Sequence, residues 1–69
     1  MTVEINESFI KLDSLLKLSG VASTGGHAKF MIADGEVKVN GEVCTMRGKK
    51  IREGDIIETA EMQITVKQK

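Results

Sequence analysis

The chain has 69 residues, 41% apolar and 29% charged, with ten basic and ten acidic side chains and no net charge. That length makes one small domain, able to bury only about 60% of its unfolded surface. It excludes an internal disulfide and a structural zinc site, since there is one cysteine and one histidine, and it holds no apolar run near the roughly 18 residues of a membrane span.

The opening "MTVEINES" is acidic and polar, and reads as neither a secretory signal nor a transit peptide. With no disulfide, a reducing, cytoplasmic setting is expected. Within it "TVEI" alternates as a short strand. "FIKLDSLLKLSG" carries Leu12, Leu15 and Leu16 at helical spacing, with Leu18 beside them, and Gly20 is a suitable stop. Val21 and Ala22 form a tight connection. A second helix begins at Ser23 or Thr24, either of which can cap it. Ala28, Met31 and Ile32 fall on one stripe, expected to meet the leucines of the first helix, and the helix ends near Asp34-Gly35.

"EVKVNGEV" reads as a hairpin, with Val37 and Val39 inward, Glu36 and Lys38 outward, and Asn40-Gly41 as a positive-φ turn. "CTMRGKKI" is expected to be an irregular basic loop and "REGD" a turn. "IIET" and "MQITVKQ" are two more strands, joined around Ala60-Glu61. The order β-α-α-β-β-β-β predicts an α+β fold of two helices packed on a small, mostly antiparallel sheet. Residues 1–69 are expected to form a single domain.

Three features carry candidate chemistry. The first is the glycine pair Gly25-Gly26. A helix start offers unpaired N–H groups and partial positive charge. Ser23, Thr24, the bare backbone of Gly25 and Gly26, and Lys29 one turn on would make a compact anion site. The plainer reading is that glycine lets the two helices approach closely. The second is the run of bases from Lys38 to Arg52. Lys38, Arg47, Lys49, Lys50 and Arg52 fall there with Glu42 the single acid among them, a spacing able to grip consecutive phosphates. Its plain alternative is a solvated loop. The third is Phe30, roughly opposite Ala28 and Ile32 on the helix wheel. It is expected to pack under the N-terminal segment, with stacking on a nucleobase as the alternative. His27 reads as a surface polar residue. No nucleophile, base or metal set converges, so an enzyme is not expected, and neither a cofactor nor a metal.

The order of these residues resembles the RNA-binding domain first named in ribosomal small-subunit protein four, the alpha-L motif. Lys11-Leu12-Asp13 opens the first helix as in that family, and Ala28, Met31 and Ile32 match its second. The pattern G-x-V-x-V-N-G stands intact as Gly35 to Gly41, and Gly54, Asp55 and Ile57 supply the closing G-D-x-[IV]. The resemblance spans about residues 9 to 58. "STGGHAK" and "MRGKKI" are closer still to the short stand-alone bacterial members of the YaaA/YbcJ type. Where many members carry Ser-Arg at the start of the second helix, this chain has Thr24-Gly25. The resemblance implies a non-catalytic protein that binds structured RNA, ribosomal or transfer RNA, through the second helix and the adjoining strand. Ser23, Thr24, Gly25, Gly26, Lys29, Lys38, Arg47, Lys49, Lys50 and Arg52 would then contact it, with Lys11 and Lys17 as outer candidates. The rival expectation is a protein-interaction module docking on a ribosomal or replication partner. Neither reading involves a membrane or a small-molecule cofactor.

Overall fold

A computed structural model describes residues 1–69. In chain order it has β1 (Thr2–Ile5), β2 (Ile10–Lys11), α1 (Leu12–Leu18), α2 (Gly25–Ala33), β3 (Lys38–Val39) and β4 (Glu42–Val43), then β5 (Lys50–Ile51), β6 (Ile56–Glu58) and β7 (Gln63–Gln68). Five strands form a sheet in the order β1-β7-β6-β3-β4, while β2 and β5 make a separate ladder. All pairs are antiparallel except β1 with β7. The expected α+β arrangement is therefore present, with one addition. The segment expected to be an irregular loop ends in a strand, β5, which pairs with residues just before α1. Both partners are two residues long, too short for alternation to register in sequence.

The helices form as their spacing predicts. Leu12, Leu15 and Leu16 of α1 are fully buried, as are Ala28 and Ile32 of α2, with Met31 nearly so. Burying each large side chain contributes about 1.5–3 kcal/mol before the ordering cost. Leu18 lies off that stripe and is 61% exposed. α1 has no side-chain cap. Its first N–H groups are satisfied from afar: Leu12 N–H donates to the Lys49 carbonyl (2.9 Å) and Asp13 N–H to that of Arg47 (3.1 Å). α2 is capped by Thr24, whose hydroxyl oxygen accepts from His27 N–H at 3.0 Å. It stops at Asp34, followed by Gly35 at φ +79°, a left-handed conformation that glycine adopts without steric cost.

The core is wholly apolar. Val37, Val39, Ile57, Ile64 and Val66 come from the sheet side and meet the helix stripes there. Asn40 and Gly41, at φ 51° and 87°, make the hairpin turn between β3 and β4. Asn40 does more than turn the chain. Its Oδ1 accepts from Ile56 N–H (2.9 Å) and its Nδ2 donates to Asp55 Oδ1 (3.1 Å). Asp55 Oδ2 accepts in turn from Arg52 N–H (2.9 Å). The V-N-G and G-D motifs, far apart in sequence, are thus one hydrogen-bonded unit that locks the hairpin to the β5–β6 turn. No helix is long and apolar enough to cross a membrane.

Candidate functional site

The start of α2 is open. A Cβ placed at Gly25 would meet no atom within 4 Å, and one at Gly26 only Thr24 Oγ1 at 3.9 Å. The close-approach reading of the glycine pair therefore fails, because nothing packs where their side chains would be. The hydrogen bonds show what remains available. His27 N–H is spent on Thr24, Ala28 N–H on the Thr24 carbonyl, and Ser23 N–H on His27 Nδ1 at 3.3 Å. The N–H groups of Gly25 and Gly26 have no acceptor in the chain. They point out of the positive end of the helix dipole, where an anion is favoured. Ser23, Thr24 and Lys29 are exposed beside them.

A second group forms around the start of α1. The β2–β5 register places Lys11 directly opposite Lys50, with Ile10 and Ile51 paired on the inward side. The two bonds from α1 to the Arg47 and Lys49 carbonyls draw those residues to the same end. Four bases from two distant segments thus share one place. Lys50 Nζ lies 5.0 Å from the centre of the Phe9 ring, a contact worth about 0.5–1 kcal/mol at an exposed site. Like charges opposite one another across a ladder are destabilising. Between the two groups runs a shallow groove of about 430 Å³, lined by Ile10, Asp13, Ser14, Lys17, Leu18 and Gly25. Lys17 thus shares a groove with Gly25, while Asp13 brings one acid into it.

Lys38 points outward, as its alternation with Val37 and Val39 predicts. That direction is away from the core on which the helices pack, and Glu58 stands directly across the strand pair from it. Arg52 is exposed on the turn fixed by Asp55. The predicted residues therefore lie in three places: the start of α2, the start of α1, and the hairpin with its adjoining turn. Sequence reading set Lys11 among the outer candidates because the β2–β5 pairing was not visible.

Phe30 departs from expectation. It does not pack under the N-terminal segment, being 64% exposed. The aromatic near that segment is Phe9, half-buried among Glu4, Ile5, Asn6 and Leu18. His27 is exposed, as expected.

Comparison with known proteins places this geometry. A profile of the S4 domain matches residues 3–67, so the match takes in nearly all of β1 and β7 as well as the helices and hairpin. The probable ribosome maturation protein RlbA of Bacillus subtilis is 39% identical over 56 residues, covering 81% of this chain and 79% of RlbA. The putative RNA-binding protein YbcJ of Escherichia coli is 40% identical over 57 residues, covering 83% of this chain and 81% of YbcJ. The solution structure of YbcJ, described as having an alpha-L motif involved in RNA-binding, superposes with a TM-score of 0.72 at 36% identity, over 94% of this chain and 84% of that one.

Proposed function

The chain belongs to the S4-domain family, and on that premise we propose that it is a non-catalytic, cytoplasmic protein that binds structured RNA, ribosomal or transfer RNA, across its two helices. The observation that carries the reading is the cluster of Lys11, Arg47, Lys49 and Lys50, gathered by the β2–β5 register and the backbone bonds to α1. Holding two lysines opposite each other costs the fold stability, and a phosphate between them would remove the repulsion. No lysine or arginine head group donates a hydrogen bond inside the chain, so apart from the Phe9 ring beside Lys50 these charges have no partner within it. Similarity to RlbA and YbcJ favours the same reading.

In this proposal the RNA backbone follows the groove from the α1 cluster, past Lys17, to the α2 start. There the Gly25 and Gly26 N–H groups, the Ser23 and Thr24 hydroxyls and Lys29 take a phosphate in place of the family arginine. Lys38 and Arg52 contact flanking RNA at the edge of the surface. Zero net charge is no obstacle, because binding depends on local phosphate neutralisation and the release of its counterions.

A salt titration with an RNA hairpin tests this. With four to six phosphates neutralised, log K should fall against log salt with a slope of about −3 to −5. Undetectable binding at low salt, by a chain whose circular dichroism shows it folded, would sink the proposal. A partner from cell extract that stays bound after nuclease treatment, with no RNA affinity in the purified chain, would favour the protein-interaction module instead.

A further inference from the structure

Phe30 is not used by the reading above, and its surroundings are specific. It stands on the outermost ridge of α2, opposite buried Ala28 and Ile32, and is 64% exposed. Its neighbours one turn before are Gly26, which has no side chain, and exposed His27, and those one turn after are Ala33 and exposed Asp34. The ring is therefore the one large apolar group on its ridge, set among small or polar side chains. Lys29 is its exposed neighbour in sequence. A lone exposed apolar side chain is ordinary, but an aromatic ring offers a flat face for a partner, and size separates the candidates. A stable protein interface removes about 800 Å² per partner around an apolar centre, whereas one phenylalanine supplies about 150–250 Å². The other exposed residues of α2 and its C-cap are glycine, histidine, lysine, alanine and Asp34, which do not build such a centre. A single planar, uncharged partner carrying a phosphate matches what is present.

Resting on the RNA-binding reading, we propose that Phe30 stacks on one unpaired nucleobase of the bound RNA, so that the ligand is a helix bearing an unpaired nucleotide and not a continuous duplex. The unpaired base lies over the ring while its own phosphate, or the next, sits at the Gly26 N–H or the Lys29 ammonium. Recognition then combines shape and backbone charge with one exposed base, a combination suited to RNA, whose loops and bulges present unstacked bases.

The chain has no tryptophan or tyrosine, so Phe30→Trp gives a single fluorescent reporter at the ring's position. The probes are an RNA hairpin with an unpaired loop and a blunt RNA duplex with the same number of phosphates. Expected results are quenching of Phe30→Trp by the hairpin and little by the duplex. Phe30→Ala should lose about 5- to 150-fold in hairpin affinity, the range for one stacked base, with an unchanged salt slope, unchanged duplex binding and an unchanged Tm. Hairpin binding without quenching, at full affinity in Phe30→Ala, overturns the stacking and leaves the phosphate contacts standing. A concentration-dependent dimer that Phe30→Ala abolishes, with RNA affinity intact, overturns it in favour of a second copy as the occupant. If the unsubstituted chain binds neither RNA at low salt, the RNA reading itself falls and the stacking with it.

Discussion

Replacing Gly25 and Gly26 by alanine should make the protein more stable and a poorer RNA binder at once. Both effects follow from the same open space. Neither added methyl meets an atom closer than 3.9 Å, and neither glycine has a positive φ. The substitutions then remove only backbone freedom from the unfolded chain, worth about 0.4–1 kcal/mol each. The helix-interior difference of about 1 kcal/mol is an upper bound for first-turn positions. Together they should add about 1–2 kcal/mol, and each kilocalorie should raise Tm by about 4–8 °C in a domain of this size. On the functional side, Cβ atoms of a helix tilt toward its N-terminus. The new methyls would lean into the space that the free N–H groups address. Losing one hydrogen bond to a charged oxygen costs about 1.5–3 kcal/mol, or about 10- to 150-fold in affinity. Thermal melts by circular dichroism and RNA titration by anisotropy read the two effects separately. A higher Tm with unchanged affinity would show that RNA does not approach these glycines. A lower Tm would show that their surroundings are not open.

Three further substitutions address other parts of the structure. Gly25→Arg puts back the side chain that many family members carry there, and should steepen the salt slope by about 0.7–0.9, one added phosphate contact; an unchanged slope would place the RNA elsewhere. Neutralising the facing pair with Lys11→Gln and Lys50→Gln should flatten that slope by about 1.4–1.8 with little change in Tm, because relief of the like-charge repulsion offsets loss of the Lys50–Phe9 contact; Lys11→Gln alone should raise Tm, and a fall there would contradict that repulsion. Asn40→Ala loses two hydrogen bonds and forces a left-handed φ on alanine, about 2–4 kcal/mol in all, out of the roughly 3–10 kcal/mol available to a chain of this length. Asn40→Gly keeps the φ and should lose less, so equal losses in urea melts would refute the assignment of strain.

How far these features were legible depended on length and on distance along the chain. Leu12, Leu15 and Leu16, or Val37 and Val39 with the Asn40-Gly41 turn, declare themselves because each pattern repeats within a few residues. Ile10 facing Ile51 does not, since two residues on each side carry no period and only the folded chain brings them together. The pairing of Lys11 with Lys50 was hidden for the same reason. Bulk and apolarity favour burial for Phe30, and its helix breaks that rule. The outer face of α2 carries glycine, phenylalanine and alanine among few charges, so its two faces differ little in polarity. Asn40 and Asp55 were each read as turn residues, which they are, but their hydrogen bond to each other spans 15 positions.

The parallel seam between β1 and β7 sets an order of assembly. It joins Thr2 to Thr65 and Ile5 to Gln68, nearly the whole chain apart, whereas the helix pair and the β3–β4 hairpin close over short loops. Closing the longest loop carries the largest entropy cost, so the helices and hairpin are free to form before the ends meet. By loop-closure cost alone, β1 is then the last segment to pair. Its departure would uncover the hydrogen-bonding edge of β7, the longest strand in the sheet, and bare strand edges pair readily with other chains. The few residues ahead of α1 therefore act as a guard for the longest strand, leaving only the four-residue β1 and the two-residue β4 at the margins of the sheet.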